Sequence, residues 1–475
     1  MYSKFRIYPS RRSFLLGGLG ATIVCPALVR ATEAETNLAP QRAGAALRRN
    51  DTAQTSLLSY DGNVPSPVLR VKQGQSFRAV IENRLDQDTT VHWHGIRVPN
   101  AMDGVPGLTQ PPIKPGVRFT YEFTPPDAGT FWYHPHANSL EQIGHGLAGL
   151  LIVEEAESVA VDRDLAWLLQ DWRLTDAGEI ASGFGSMMDA SMAGRVGNTI
   201  TINGAPPSNL TVRAGERIRL RLANAALARI IAFRFEGHKP IIIAIDGQPC
   251  EPHTPEDGRI VIGPAMRVDV LLDMTGEPGG SFTIIDDYYA GLPYTLASIV
   301  YAIERRRPAP PKDALVLPAN PLPEPNLINA VKQDIVLQGG MMGGGKLKGV
   351  GGMKSMSMPG MNGGPVWAIN GKSMTGDGQF DMQPLFTLKR GETCLLSMRN
   401  ETAWAHTMHI HGFSMLMLKR NGNSVAHRQW QDTILMAPTD TVECAFVADN
   451  PGNWMFHCHI TDHQMAGLMT VFRVT

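Results

Sequence analysis

One phrase recurs three times along this chain and sets what it can fold into. It reads Leu69-x-Val71-x-x-Gly74, then Leu210-x-Val212-x-x-Gly215, then Phe386-x-Leu388-x-x-Gly391. Nine residues after each glycine stands an asparagine (Asn83, Asn224, Asn400), and nine further on stand His92, Phe233 and His409. A fixed internal pattern of this kind means one structural unit used repeatedly. The copies also end alike. Gly129-Thr130-Phe131-Trp132-Tyr133 runs into His134-Pro135-His136, and Gly452-Asn453-Trp454-Met455-Phe456 runs into His457-Cys458-His459. The middle copy keeps Gly280-Ser281-Phe282-Thr283-Ile284 but leads only to Ile285-Asp286-Asp287.

Apolar–polar alternation punctuated by Gly, Pro and Asn reads as β-strand in all three copies. Units of about 100–150 residues built from short strands predict two-sheet Greek-key sandwiches. A chain of 475 residues is too long for one core. We therefore expect three all-β domains, at 50–155, 160–305 and 330–475. A Pro-rich connector, 306–329, would run back from the second to the third and let the first and third touch. Residues 339–364 interrupt the last unit with 11 Gly, six Met and no aromatic or acidic residue. Such a stretch cannot pack a core and is expected to be a mobile loop. Its methionines, without other apolar partners, suggest thioether contact with Cu(I).

The chemistry is concentrated in histidines. Ten of the 14 lie in four clusters: His92-Trp93-His94, His134-Pro135-His136, His406 with His409-Ile410-His411, and His457-Cys458-His459 with His463. Imidazoles with a soft sulfur are a set that selects copper, iron or zinc. Side chains alternate along a strand, so Cys458 and its flanking histidines cannot serve one ion. Cys458 with His463 would hold one metal, while His457 and His459 reach a second centre on the other side. The first and third units each supply two His-x-His pairs, so that second centre belongs between them. The middle unit, with Phe233 and Phe235 in the corresponding places, has no ligands. His145, His238, His253 and His427 lie outside the motifs and read as surface or ordinary core residues.

The motifs HWHG (92–95), WYHPH (132–136), HTMHIHG (406–412) and HCHITDHQMAGL (457–468) strongly resemble those of the multicopper oxidases, the family of laccases and cuprous oxidases. The resemblance covers most of the chain after residue 55 and implies three cupredoxin-like β-sandwich domains carrying four copper ions. It would place His92 and His409 on a type 2 copper. His94, His134 and His459 would hold one type 3 copper, and His136, His411 and His457 the other. His406, Cys458 and His463 match the type 1 ligands, with Leu468, which cannot ligate, at the axial position. Asp103 matches an acidic residue that orients water at the three-copper cluster, alongside the catalytic Cys458, His457 and His459. Where many bacterial members carry Glu after the last type 1 histidine, this chain has Gln464, which cannot relay a proton; Asp462 is its candidate substitute.

The implied activity couples four one-electron oxidations of Cu(I), phenols or aromatic amines to reduction of O2 to two waters. The Gly/Met stretch favours Cu(I) and a role in copper tolerance, and Leu468 favours phenols. A competing reading is a copper-free cupredoxin-like envelope scaffold, against which the intact ligand set argues. A two-domain nitrite reductase is excluded by the third repeat.

Ser10-Arg11-Arg12-Ser13-Phe14-Leu15 ahead of an apolar run to Leu28 reads as a twin-arginine export signal, residues 1–34, and so predicts a periplasmic protein. The run is shorter than the ~20 residues needed to span a bilayer, so no membrane attachment is expected after cleavage. Lys+Arg 43 against Asp+Glu 44 shows no nucleic-acid footprint. The expected partners are O2 and a small reductant, acting on a monomer. An oxidising compartment permits disulfides. Cys394 and Cys444 could be bridged, or both could be buried free thiols.

Overall fold

The computed structural model describes residues 34–49, 53–341, 366–376 and 383–475. The expected signal lies outside them but for Ala34, as does the Gly/Met stretch from 342 to 364.

Three pairs of sheets follow one another along the chain. A three-stranded sheet (Ala34–Leu38, Phe77–Glu82, Arg118–Phe123) faces a four-stranded one (Leu69–Lys72, Gly149–Glu154, Gly129–His134, His92–His94). A six-stranded and a five-stranded sheet follow, running from Arg163–Trp172 to Tyr294–Tyr301. A seven-stranded and a five-stranded sheet, from Val331–Gly339 to Met469–Val474, complete the set. Each pair encloses its own apolar cluster, around Trp93 and Tyr121, around Phe233 and Leu220, and around Met408 and Trp454. The fold is all-β and cupredoxin-like. Among the described residues strands begin at Ala34, ahead of position 50, where the first unit was expected. Ala-Glu-Thr-Asn-Leu carries no alternation to read; it is recruited by backbone pairing, in parallel, to the open edge of Phe77–Glu82.

The repeated phrase has one structural meaning. In every copy its strand pairs in parallel with the unit's last strand: Leu69–Lys72 with Gly149–Glu154, Leu210–Val212 with Tyr294–Tyr301, Thr387–Leu388 with Met469–Val474. The glycine that follows has positive φ each time, +75° at Gly74, +84° at Gly215 and +86° at Gly391, a turn that a side chain would strain. The asparagine is a buried plug. Asn83 Nδ2 donates to the carbonyls of Gln87 and Ile113, Asn224 Nδ2 to those of Arg229 and Ile262, and Asn400 Nδ2 to those of Trp404 and Ala437. Each Oδ1 accepts the N–H two residues on. Removing one plug would orphan buried backbone groups at about 1–3 kcal/mol apiece.

The connector is pinned to the body: Asn320 exchanges hydrogen bonds with Ala128 and donates to Gln248 Oε1, and Leu317 is buried. Cys250, Cys394, Cys444 and Cys458 are all free thiols. Cys394 lies opposite Phe446 and Cys444 opposite Leu396, so the two that could have bridged are diagonal in the sheet.

Candidate metal centre

The period of two in a strand sorts the ligands. His92 and His94 share one face of their strand, and Trp93 enters the first core. His457 and His459 likewise share a face, while Cys458 enters the third core. His406 and His409 are an odd number apart and separate: Cys458 Sγ lies 3.6 Å from His406 Nδ1, whereas His409 is paired with His457 on the neighbouring strand of the same sheet. His92 is paired in the same way with His134. The eight histidines of the four pairs therefore meet where the first and third sandwiches face each other, all at most 3 % exposed.

Their nitrogens are arranged for a cation. His411 Nδ1 donates to Asp103 Oδ2 (2.9 Å) and His457 Nδ1 to the Cys458 carbonyl (3.0 Å), leaving two unprotonated Nε2 atoms 3.0 Å apart. Lone pairs that close repel unless a positive ion joins them. His134 Nδ1 donates to the Pro135 carbonyl, and its Nε2 lies 3.3 Å from His459 Nε2. His92 Nδ1 donates to the Asp103 carbonyl (2.7 Å) and His409 Nδ1 to the Asp432 carbonyl (2.9 Å). The opposite nitrogens, His92 Nε2 and His409 Nε2, are buried without partners, as are His136 Nε2 and His94 Nδ1. Ligand atoms of His136, His411 and His457 lie within 4.8 Å of one another, and so do those of His92, His409 and His411, and of His92, His94 and His134. Burial holds His94, His134, His136, His411, His457 and His459 well below the usual imidazole range, and lowers His409 too. Burial thus favours their neutral form, the one that ligates.

Two carboxylates frame this cluster, and sequence reasoning found one. Asp103 holds His411, and its Oδ1 is buried without a hydrogen-bond partner. The other is Asp432. Its Oδ1 is 3.2 Å from His94 Nε2, and its backbone carbonyl accepts from His409. Thr433 Oγ1 lies 3.1 Å from each of those rings. Arg267, from the middle sandwich, clamps both Asp432 oxygens at 2.8 and 2.5 Å and holds the carboxyl well below the usual range despite its burial. Asp432 sits in no motif, so only a close pairing in space could reveal it. Gln464 is buried, and its Nε2 has no hydrogen-bond partner. Asp462 accepts from the Arg195 N–H, and burial pushes its carboxyl up to about 6. Among the described residues no hydrogen bond joins Asp462 to a cluster histidine.

On the other face of His457–His459 lies the sulfur site. Cys458 Sγ is 3.9 Å from His463 Nδ1, and the Nδ1 atoms of His406 and His463 are 3.0 Å apart. Thr402 Oγ1 holds His406 Nε2 at 2.8 Å, and the Met192 carbonyl accepts from His463 Nε2 at 2.8 Å. With their outer nitrogens occupied, both rings offer Nδ1 to a point beside the sulfur. Burial alone pushes the Cys458 thiol up to about 12, so its thiolate needs a cation in this pocket. Trp367 packs edge-on against His406 (4.9 Å) and tilted on His463 (4.5 Å). A His₂Cys trigonal set, wrapped in an apolar shell, is a blue-copper donor set.

Residues 44–158, 163–302 and 355–475 each match a multicopper oxidase family profile. A multicopper oxidase, MmcO, of Mycobacterium tuberculosis is 30% identical over 451 residues, covering 87% of this chain and 82% of its own. The chain belongs to the multicopper oxidase family. Copper resistance protein A of Escherichia coli is 25% identical over 562 residues, covering 88% of this chain and 89% of its own. The crystal structure of a Pseudomonas thermotolerans multicopper oxidase superposes with a TM-score of 0.81 at 31% identity, covering 93% of this chain and 99% of that one. Membership implies copper as the cofactor, O2 as the oxidant and a reducing substrate. The donor sets just described fit copper: imidazoles for one centre, imidazoles with thiolate for the other.

Leu468 is fully buried in the same apolar cluster as Cys458, and its carbonyl accepts from the Cys458 N–H (2.9 Å). Its neighbour Met469 packs instead with Val105 and Met455. Leu468→Met therefore brings a thioether toward the sulfur site at near-constant volume, with a fold cost under ~1.5 kcal/mol. The extra donor favours Cu(II) over Cu(I), so the type 1 potential is expected to fall. A redox titration checks this; an unchanged or higher potential would mean that residue 468 does not address the copper.

Proposed function

We propose that this multicopper oxidase couples four one-electron oxidations of Cu(I) to reduction of O2 to two waters, in the periplasm, as part of copper tolerance. Four copper ions, one at His406, Cys458 and His463 and three among the eight cluster histidines, would supply the one-electron and O2 chemistry. The protein's own part is arrangement. Cys458 and its neighbours His457 and His459 join the two ligand sets through the backbone, His406 and His463 are locked in one tautomer, and Asp103 Oδ1, buried without a partner, can accept a hydrogen bond from a water at the cluster.

The observation that carries Cu(I) as reductant is the cover over His463. This ring has no exposed edge on which a phenol could stack, because its Nε2 is tied to the Met192 carbonyl and Trp367 lies over it. The covering segment is the short helix Met187–Ser191 with Met192; Met187 and Met188 are exposed at 37% and 69%, and Met465 is half-buried beneath. Exposed thioethers serve a soft monovalent cation better than an aromatic ring. Oxidation of phenols or aromatic amines is the second reading, favoured by the apolar Leu468. The relative called copper resistance protein A agrees with the first.

Replacing Met187, Met188 and Met192 together by Leu keeps the cover's volume and removes its sulfur. Steady-state Cu(I) oxidation is expected to fall about tenfold, a loss of ~1.4 kcal/mol in transition-state binding, with phenol oxidation unchanged. A parallel fall for both substrates would remove Cu(I) from the proposal. For export, Arg11→Lys with Arg12→Lys should leave the protein in the cytoplasm; an undiminished periplasmic fraction would refute the twin-arginine route.

A further inference from the structure

The middle sandwich carries no expected copper ligand, yet its most deeply buried charges reach the copper cluster. Arg267, on strand Arg267–Asp273, has no exposed side-chain surface. Its guanidinium spans both Asp432 oxygens, and its Nε donates to the Thr130 carbonyl of the first sandwich. Asp246, also of the middle sandwich and also fully buried, accepts the Arg267 N–H (2.9 Å) through Oδ1. Its Oδ2 accepts the backbone N–H groups of Asp432 (3.2 Å) and Thr433 (3.0 Å). Asp246 and Gly247 (φ +49° and +78°) form the two-residue turn between Ile241–Ile245 and Gln248–His253, a conformation that Asp-Gly adopts readily, which fixes the carboxylate at the tip of this hairpin. Asp432 is thus held at its side chain by one middle-domain residue and at its backbone by another.

What Asp432 holds in turn is specific. With Thr433 Oγ1 donating to Asp432 Oδ1 (2.7 Å), the pair forms an acceptor for the His94 Nε2–H. Fixing that proton on Nε2 leaves Nδ1 as the lone-pair nitrogen, the one found buried without a partner. The Asp432 carbonyl fixes the proton of His409 on Nδ1 and frees its Nε2. The two rings stack at 3.7 Å, so a displacement of one is felt by the other. Gly95, next to His94, gives the clamp its room: at φ +85°, a Cβ there would overlap the Arg267 guanidinium and the Asp432 carboxylate.

We propose that Arg267 and Asp246 are positioning residues of the copper cluster, through which the ligand-free middle domain sets the tautomer and orientation of His94 and His409 by way of Asp432. The middle domain is then more than a spacer between the copper-bearing domains. This rests on the reading of His94 and His409 as copper ligands.

Arg267→Lys tests it. Lys keeps the positive charge that two buried carboxylates require, but it is a point donor and cannot span both Asp432 oxygens. In the copper-loaded protein we expect an altered type 2 signal by electron paramagnetic resonance, and copper removed from the cluster by chelator at about 10–100-fold lower concentration. The type 1 blue band should keep its position and intensity, since the Cys458 site lies on the opposite face of the strand. Unchanged type 2 parameters and chelator resistance in folded Arg267→Lys would overturn the inference, as would loss of type 1 and type 2 signals in parallel, the mark of a merely structural role. Should Arg267→Lys fail to accumulate, Asp246→Ala decides by the same two readings, because it leaves the Arg267–Asp432 pair in place and removes both acceptors, the one for the Arg267 N–H and the one for the Asp432–Thr433 backbone. The unmodified protein separates the two levels of the argument. If it shows no type 2 signal when loaded, the ligand reading fails; if it does and the variants match it, only the positioning role fails.

Discussion

Cys458→Ser is expected to abolish the blue absorption band and to lower turnover with every reductant by more than about a hundredfold, beyond the usual effect of losing a supporting residue. The sulfur stands 3.6 and 3.9 Å from two imidazole nitrogens that are themselves 3.0 Å apart, and no other soft donor in the described site can replace it. A serine hydroxyl is a hard, weakly acidic donor, whereas burial already makes the thiolate dependent on a cation. The same residue also joins the two ligand sets, so spectroscopic and kinetic losses should come together. Folding should survive. The exchange is nearly isosteric in a core with other strong apolar contacts, and one buried hydroxyl costs about 1–3 kcal/mol. Copper at the histidine cluster should also survive, because His457 and His459 face away from residue 458. Absorption spectra, oxygen uptake and the type 2 resonance signal check the three parts; a retained blue band would show that the thiolate does not ligate.

His94→Ala is expected to give the reverse pattern: oxygen consumption lost, blue band intact. His94 lies on the cluster face, stacked 3.7 Å from His409 and 5.0 Å from the His459 ring, and it shares no hydrogen bond with the His406–Cys458–His463 site. Its removal takes one imidazole from the cluster and leaves a cavity where every neighbour is buried. The cavity and the loss of the Asp432 contact together should destabilise by about 2–5 kcal/mol. Asp432 retains Arg267 and Thr433, so no bare charge is exposed. Stopped-flow reduction should then show a blue band that bleaches with reductant and does not recover with oxygen. Complete bleaching of the protein as isolated would mean that the two sites are not partitioned as the strand faces indicate.

Much of this was legible in the chain. The three copies of one strand-and-turn phrase fixed the all-β class and the number of sandwiches, since each copy must make the same parallel pairing and the same positive-φ turn. The strand period of two by itself puts His457 and His459 on one side and Cys458 on the other. Phe233 and Phe235, where the other units carry histidine pairs, were expected to leave the middle unit without ligands, and both lie in its apolar core. The first strand, Ala34–Leu38, was not legible, because a chain added to a sheet edge through its backbone needs no apolar alternation of its own.

Residue type and local period therefore determined which side chains can ligate and which face of a strand each occupies; these depend on neighbours one to five positions away. Only the tertiary structure decided which nitrogen of each ring is left free, because that follows from partners brought in from other domains: Asp103 for His411, 308 residues apart, and Asp432 for His94, 338 apart. It alone showed Arg267 and Asp246 behind Asp432, and the Met192 carbonyl capping His463 from 271 residues away. No periodicity encodes such contacts. They arise because three cores pack against one another, and the polar groups trapped between them must find hydrogen-bond partners wherever the packing supplies them.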